Sequence, residues 1–385
     1  MAVLTTTRAD WGLVRTVCRA LGPSLRLVVS GTHLSARHGA TESEILSDGL
    51  SVAARVPIFE DAPPAREAME AAARILSGMG AALARLQPDL LLLAGDRYEM
   101  TAAALAAQLA RVPFAHLAGG ETDATTTPDG NFRNALTKLA AWHFATCDEY
   151  ARRIRAMGEE ADRVFVTGLP SLDELSENTG AAAELEQAAG LSRLEDPRRP
   201  FVLVTHLPVV FRPRESLDEL QALLAVLAEQ PHLNVLLTGA NADQGGAEGA
   251  ALCREFAERH GKRCCYVESL GHRAYLRAVQ EAAVVLGNSS SGIIETPSFG
   301  TPSVTVGRRQ VGRFRAPNVL EGGSTRESIA AALQRALEPG FRAGLRGLVN
   351  PFAAPDGKAG RRIAGLLQSL PITRSALEKR LVTGG

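Results

Sequence analysis

The sequence predicts two doubly wound α/β domains, and three observations carry that expectation. Short runs rich in Val, Leu and Phe alternate with longer helical patterns. Several of the runs are apolar on both faces, as strands buried inside a parallel sheet are. The 385 residues exceed one ordinary core, and a polar stretch near the middle separates two sets of strand–helix units.

In chain order the expected strands are 2–6, 26–30, 90–94, 114–117, 143–146, 164–167, 201–205, 234–238, 264–267, 284–287 and 303–306. Helical patterns fill the intervals, with the clearest at 62–86, 101–111, 216–229 and 273–282. Strand followed by helix, repeated, is the pattern of a doubly wound sheet. The stretch Glu195-Asp196-Pro197-Arg198-Arg199-Pro200 is charged and proline-containing and reads as a linker or loop. The expected division is an N-terminal Rossmann-like domain at 1–180 and a C-terminal, nucleotide-binding one at 181–356. The tail at 357–385 carries an amphipathic helical pattern that can pack back on the first domain, which the sequence alone leaves open.

Composition narrows the function. Lys+Arg and Asp+Glu number 42 each, so no global excess draws in a polyanion, and no basic stripe marks a nucleic-acid binder. Met1 to Thr7 shows no basic segment and no long apolar one, which argues against a signal peptide. The apolar runs are broken before the roughly 18 residues that a membrane span needs. The five cysteines form neither a CxxC nor a zinc-type Cys/His spacing. They read as idle thiols in a reducing cytoplasm, and no metal site is expected.

In open parallel sheets ligands bind beyond the carboxyl ends of the strands, so polar clusters there carry the most weight. The most specific is Gly287-Asn288-Ser289-Ser290-Ser291-Gly292-Ile293-Ile294-Glu295, after strand 284–287 and before an expected helix. Small residues admit a close ligand, and amides and serine hydroxyls at a helix start donate to phosphate oxygens, helped by the helix dipole. Glu295 can accept from ribose hydroxyls. The bland reading is a serine-rich helix cap, but three serines exceed what a cap needs.

A second cluster is Gly95-Asp96-Arg97-Tyr98-Glu99-Met100, which sets an acid and a guanidinium side by side for proton transfer and phosphate binding. A third is His116-Leu117-Ala118-Gly119-Gly120-Glu121, with Asp129 and Arg133 downstream. Carboxylates paired with Asp96 suit removal and return of a carbon-bound proton if burial raises one pKa. A fourth is Thr5-Thr6-Thr7-Arg8-Ala9-Asp10, where the absence of GxGxxG argues against a nicotinamide or flavin site. Softer signals are His33 in Gly31-Thr32-His33-Leu34, His206 in Thr205-His206-Leu207-Pro208, Asn241 in Thr238-Gly239-Ala240-Asn241-Ala242-Asp243, and Arg309 in Gly307-Arg308-Arg309-Gln310. Each of these has an ordinary structural explanation of comparable weight: solvated charges, loop acids, a core histidine or a simple turn.

These clusters, in this order, resemble the hydrolysing UDP-N-acetylglucosamine 2-epimerases, from about residue 4 to about 320. The resemblance implies a GT-B-like fold, two Rossmann-like domains with a cleft between them. It implies loss of UDP through a glycal intermediate and rehydration to the free 2-epimer, in sialic or related nonulosonic acid synthesis. The substrate is then UDP-N-acetylglucosamine or a related UDP- or GDP-linked diacetamido sugar. No nicotinamide and no obligatory metal is implied. By the matching positions Asp96 and Asp129 are the acid/base carboxylates, and Arg8, Arg97, Ser289, Ser290, Glu295 and Arg309 hold UDP. Glu121 joins the catalytic set, and His33, Arg133, His206 and Asn241 the substrate set.

The sequence departs from the family pattern at Ala118, at Asn134 and in Thr205-His206-Leu207-Pro208, where the histidine stands one place early. A one-residue shift at a strand end turns a side chain to the other face. A GT-B glycosyltransferase and a non-catalytic sugar-nucleotide binder are the alternative readings. A homodimer is expected on general frequency.

Overall fold

A computed structural model describes residues 1–59, 66–122, 129–209, 212–239, 246–372 and 374–382. The chain divides into two compact units. The first comprises Met1–Glu121, Pro128–Asp173 and Phe352–Gly385, and the second Thr122–Thr127 and Glu174–Pro351. The contact pattern thus divides the chain after Asp173 and before Phe352, where the sequence reading had placed 180 and 356. The stretch 195–200 is a loop as read, but it lies inside the second unit and leads into a strand rather than linking domains.

Unit one holds a seven-stranded sheet of β1 (Ala2–Thr5), β2 (Arg26–Ser30), β3 (Val52–Val56), β4 (Leu91–Ala94), β5 (Phe114–Leu117), β6 (Trp142–Ala145) and β7 (Val164–Val166). Their order is β3-β2-β1-β4-β5-β6-β7, every pair parallel. Successive residues point to opposite faces, so each strand feeds two cores. Leu4, Val28, Leu91 and Leu93 meet Ile75 and Met79 of helix Glu67–Leu86 and Ala103 and Ala107 of helix Tyr98–Leu109. Val3, Leu27, Val29 and Leu92 meet Val14 and Val17 of helix Arg8–Leu21 and Ile363 and Leu367 of helix Ala359–Ser369. The C-terminal segment therefore completes the first unit's core. Each such Val, Leu, Ile or Met side chain, fully buried, contributes about 1.5–3 kcal/mol.

Unit two holds a six-stranded parallel sheet of β8 (Phe201–Thr205), β9 (Asn234–Thr238), β10 (Cys264–Val267), β11 (Val284–Gly287), β12 (Ser303–Val306) and β13 (Val319–Gly323). The order is β10-β9-β8-β11-β12-β13. One face packs on helices Pro213–Ala228, Gly246–Arg259 and Arg326–Leu337 through Leu223, Leu227, Phe256 and Leu333. The other packs on helices Ala182–Ala189 and Gly271–Glu281 through Leu185 and Val279.

Two strands were missed from sequence, β3 and β13. Both are edge strands, and both carry an exposed charge, Arg55 and Glu321, that breaks the apolar run. The helix expected at 62–86 is seen as Glu67–Leu86, and positions 62–65 lie outside the described residues. Among the described residues no helix is long and apolar enough to cross a membrane. All five cysteines are free thiols, and burial pushes Cys147 and Cys253 up to about 11, which leaves them protonated at neutral pH.

Candidate functional site

In unit one the chemistry gathers beyond β1, β4 and β5. Thr7 caps helix Arg8–Leu21 in a capping box with Asp10. Asp10 is buried and accepts from Thr5 Oγ1 (2.9 Å), Thr6 N (2.9 Å), Thr6 Oγ1 (2.6 Å) and Thr7 N (2.7 Å). Four donors on one carboxylate fix the first loop. Arg8, the first residue of that helix, is exposed and pairs with Glu44.

His33 does not sit on the open rim. It is 1% exposed, with Nε2 3.0 Å from Thr5 Oγ1 and Nδ1 2.7 Å from Thr41 Oγ1. Both ring nitrogens are engaged by protein hydroxyls, so the side chain belongs to the scaffold behind the rim.

After β4, Asp96 forms an ion pair with Arg133, whose side chain is 3% exposed. The other arm of that guanidinium donates to the Glu121 carbonyl at 2.9 Å. Arg133 therefore joins the loop after β4 to the loop after β5, and Asp129 opens the same helix, Asp129–Leu139. Arg133, expected to bind substrate, stands between two carboxylate-bearing segments. Arg97 donates to Glu99 through Nε (3.1 Å) and Nη2 (2.7 Å), and Glu99 is wholly buried. Such a planar two-pronged pair holds the guanidinium in one orientation.

His116, on β5, is wholly buried. Its Nε2 lies 2.8 Å from the Gly95 carbonyl and its Nδ1 3.2 Å from Thr137 Oγ1. A carbonyl only accepts, so Nε2 carries the proton. Burial foremost, with His143 and Arg133 adding to it, lowers the ring's pKa to about 4. A neutral imidazole thus pins the carbonyl next to Asp96. Beyond β5, Ala118 and Gly120 both take positive φ, +66° and +76°. A Cβ at Gly120 would stand 2.4 Å from the Tyr150 carbonyl, so only glycine fits there.

In unit two the rim lies beyond β8, β9, β11 and β12. Gly287 has φ +142°, and a Cβ there would stand 2.1 Å from the Thr205 carbonyl, so β11 can leave the sheet only through glycine. The helix expected after Ser289 and Ser290 is two single turns, Ser291–Ile294 and Thr296–Phe299, broken at Glu295. Pro297 lacks the N–H that would continue the first turn. Turns this short carry little macrodipole, which removes that part of the sequence argument. The hydroxyl of Ser290, at the cap position, makes no capping bond, but Ser289 Oγ accepts the Ser291 N–H at 3.3 Å, so one of the serines does serve as a cap.

Arg309 Nη1 (2.9 Å) and Gln310 Nε2 (2.8 Å) both donate to the Asn288 carbonyl, which brings the cations after β12 to the serine loop. Burial pushes the Glu295 carboxyl up, opposed first by the Ser291 hydroxyl and by its own backbone N–H, and last by the charge of Arg313. Glu295 Oε2 and Gln310 Oε1 are buried without a hydrogen-bond partner among the described residues. Buried acceptors of this kind cost free energy unless something donates to them, and they mark where a ligand's donors fit.

His206 points inward, with Nε2 3.3 Å from Asn288 Nδ2 and 3.8 Å from Glu219 Oε2. Asn241 lies outside the described residues. Glu99, Thr137, Asn288, Gln310 and Arg313 were given no role from sequence. For Glu99 the signal was present, an acid two residues from an arginine just past a strand.

Two Rossmann-like parallel sheets, each with its polar residues beyond the strand ends, place the protein in the GT-B-like class. A family model described as UDP-N-acetylglucosamine 2-epimerase matches residues 18–368, and the chain belongs to that family. It is 32% identical to the UDP-N,N'-diacetylbacillosamine 2-epimerase (hydrolyzing) of Legionella pneumophila, over 98% of this chain and 97% of that one. It is 29% identical to the GDP/UDP-N,N'-diacetylbacillosamine 2-epimerase (hydrolyzing) of Campylobacter jejuni, over 83% of each chain. The crystal structure of the Neisseria meningitidis UDP-GlcNAc 2-epimerase bound to UDP-GlcNAc matches with a TM-score of 0.77 at 17% identity, covering 96% of this chain and 100% of that one.

Proposed function

We propose that the protein is a hydrolysing sugar-nucleotide 2-epimerase whose substrate is a UDP-linked 2,4-diacetamido sugar. The reaction removes the C2 proton as the C1–O bond breaks. UDP leaves with the bonding electron pair, and C1 and C2 become doubly bonded. Water then adds its oxygen at C1, and a proton returns to C2 on the opposite face. The free 2-epimer and UDP are the products.

The observation that carries this reading is the Arg133 bridge in unit one. Proton removal and return need more than one acid/base group near one carbon. Arg133 holds the Asp96 carboxylate and the Glu121 backbone together, with Asp129 on its own helix. Asp96, Glu121 and Asp129 are the proposed acid/base groups. In unit two, Ser289, Ser290 and Arg309 are the proposed diphosphate contacts, and Glu295 Oε2 is the proposed acceptor for ribose hydroxyls. Arg8 and Arg97 are proposed as further phosphate-binding cations. His33 and His206 are proposed as supports. The two diacetylbacillosamine epimerases among the relatives support the diacetamido sugar over N-acetylglucosamine.

The test is incubation with UDP- and GDP-linked N-acetylglucosamine and 2,4-diacetamido sugars in deuterated water, read by NMR. The expected result is free UDP and a reducing 2-epimer carrying deuterium at C2, fastest with the diacetamido substrate. UDP release without C2 deuterium breaks the elimination mechanism. Faster turnover of UDP-N-acetylglucosamine breaks only the substrate assignment.

A further inference from the structure

Asn288 is wholly buried, and every polar group it owns is used to join one loop to another. Its N–H donates to the Thr205 carbonyl at 3.1 Å, which continues the β8–β11 pairing one residue past the sheet. Its side chain clasps the Leu207 backbone from both sides. Oδ1 accepts the Leu207 N–H at 2.6 Å, and Nδ2 donates to the Leu207 carbonyl at 2.8 Å. The donor and acceptor of the Leu207 peptide fix which way round the amide lies. Nδ2 also faces His206 Nε2 at 3.3 Å. The Asn288 carbonyl receives both Arg309 and Gln310. One residue thus ties the loops after β8, β11 and β12, and the next two residues in the chain are Ser289 and Ser290.

We propose that Asn288 is a positioning residue for the nucleotide, fixing the Ser289–Ser290 loop and Arg309 in register without touching the ligand. This rests on the reading of the unit-two rim as the diphosphate site. An amide is needed because the Leu207 peptide presents one donor and one acceptor to a single side chain. A carboxylate satisfies the N–H but sets a second oxygen against the Leu207 carbonyl, and repulsion opens the clasp. A protonated carboxyl again offers Leu207 one acceptor and one donor, and lacks only the amide's second N–H, the one that faces His206.

The test uses Asn288→Asp and Asn288→Ala in the full chain, with UDP affinity by calorimetry, and KM and kcat for the UDP-sugar. Asn288→Asp is expected to weaken UDP binding about 10- to 100-fold at pH 8, the scale of one or two lost hydrogen bonds. KM rises by a similar factor, and kcat stays within about threefold. The affinity deficit shrinks as the pH is lowered to 5, because the introduced carboxyl regains a donor when protonated. Asn288→Ala shows the same loss with no recovery at low pH. A merely structural role would lower stability and kcat together and leave the UDP affinity of the folded fraction unchanged.

Wild-type affinity in both folded variants, or a deficit in Asn288→Asp that does not depend on pH, overturns the proposal. A wild-type protein that binds no UDP overturns the site reading and the proposal together. If neither variant folds, Asn288→Ser carries the test. One hydroxyl cannot hold both the N–H and the carbonyl of Leu207, so UDP is expected to bind about three- to tenfold weaker, and unchanged affinity counts against the proposal.

Discussion

The polar rims of the two units are finished to different degrees. In unit one the charged groups answer one another. Asp10 takes four donors, Arg97 is held by Glu99, and Arg133 spans Asp96 and the Glu121 carbonyl. In unit two two buried acceptors, Glu295 Oε2 and Gln310 Oε1, have no donor among the described residues. Acid/base groups work best when their geometry is set before substrate arrives. A recognition site gains affinity by leaving polar atoms for the ligand to satisfy. Under the proposed function the acid/base groups lie on the first rim and the Ser289, Ser290 and Arg309 contacts on the second, and mutations can separate the two.

The largest separation is expected at Asp96. Asp96→Asn keeps the size of the side chain but removes the base, and turnover should fall about 10³-fold. UDP affinity, measured by calorimetry, should stay within a few-fold. Retained turnover removes Asp96 from the mechanism, and a parallel loss of UDP affinity dissolves the division between the rims. The complementary change is Ser290→Ala combined with Arg309→Ala. Each lost charge-assisted bond costs about 1.5–3 kcal/mol, so UDP should bind about 10²-fold weaker or worse. Solvent deuterium should still enter C2 at saturating substrate. Normal UDP binding in the double variant would move the diphosphate elsewhere.

The same contrast explains what the sequence made legible. Interior strands such as β4, Leu91–Ala94, are apolar on both faces and stand out, as do the uncharged edge strands β7 and β10, whereas β3 and β13 do not, because Arg55 and Glu321 break their apolar runs. Polar clusters past strand ends could be found because topology puts ligands there. Side-chain pairing could not. Nothing in the local sequence around Asp96 names Arg133 as its partner, since the two meet only once β4 and the helix after β5 are packed. The inward turn of His206 was legible as a register shift, but its neighbours Asn288 and Glu219 were not. The break at Glu295 was foreshadowed by Pro297 and was overridden by the expectation of a continuous helix.

A smaller effect probes how tightly the first rim is preset. The His116 pKa falls from 6.5 to about 4 on folding, through burial. Between these values the unfolded chain binds the proton and the native one does not, so stability rises with pH across that window. The contribution is complete above about 6.5 and is lost progressively as the pH falls to 4, about 3 kcal/mol in all. His143, lowered by burial against the pull of Glu159, adds in the same direction. Chemical denaturation of His116→Gln at several pH values should show a flatter dependence between 6.5 and 4 than wild type. An equal slope would mean that the ring titrates normally and that Gly95 is not held by a neutral imidazole.

The smallest effect lies away from both rims and sets the baseline for the others. Asp173 accepts from Ala359 N and Gly360 N, both at 2.7 Å, and from Thr16 Oγ1 at 3.1 Å. It thereby satisfies two orphan donors at the start of helix Ala359–Ser369 and pins that helix to helix Arg8–Leu21, which begins at the first rim. Gly360 is needed at the contact, since a Cβ there would stand 2.7 Å from the Thr16 backbone. Asp173→Ala should cost about 1–2 kcal/mol of stability by urea denaturation, with Asp173→Asn milder because one acceptor remains. Turnover and UDP affinity of the folded enzyme should not change. If turnover falls out of proportion to stability, the docked C-terminal helix is part of what presets Asp10 and Asp96, and the rigidity of the first rim extends beyond the loops that form it.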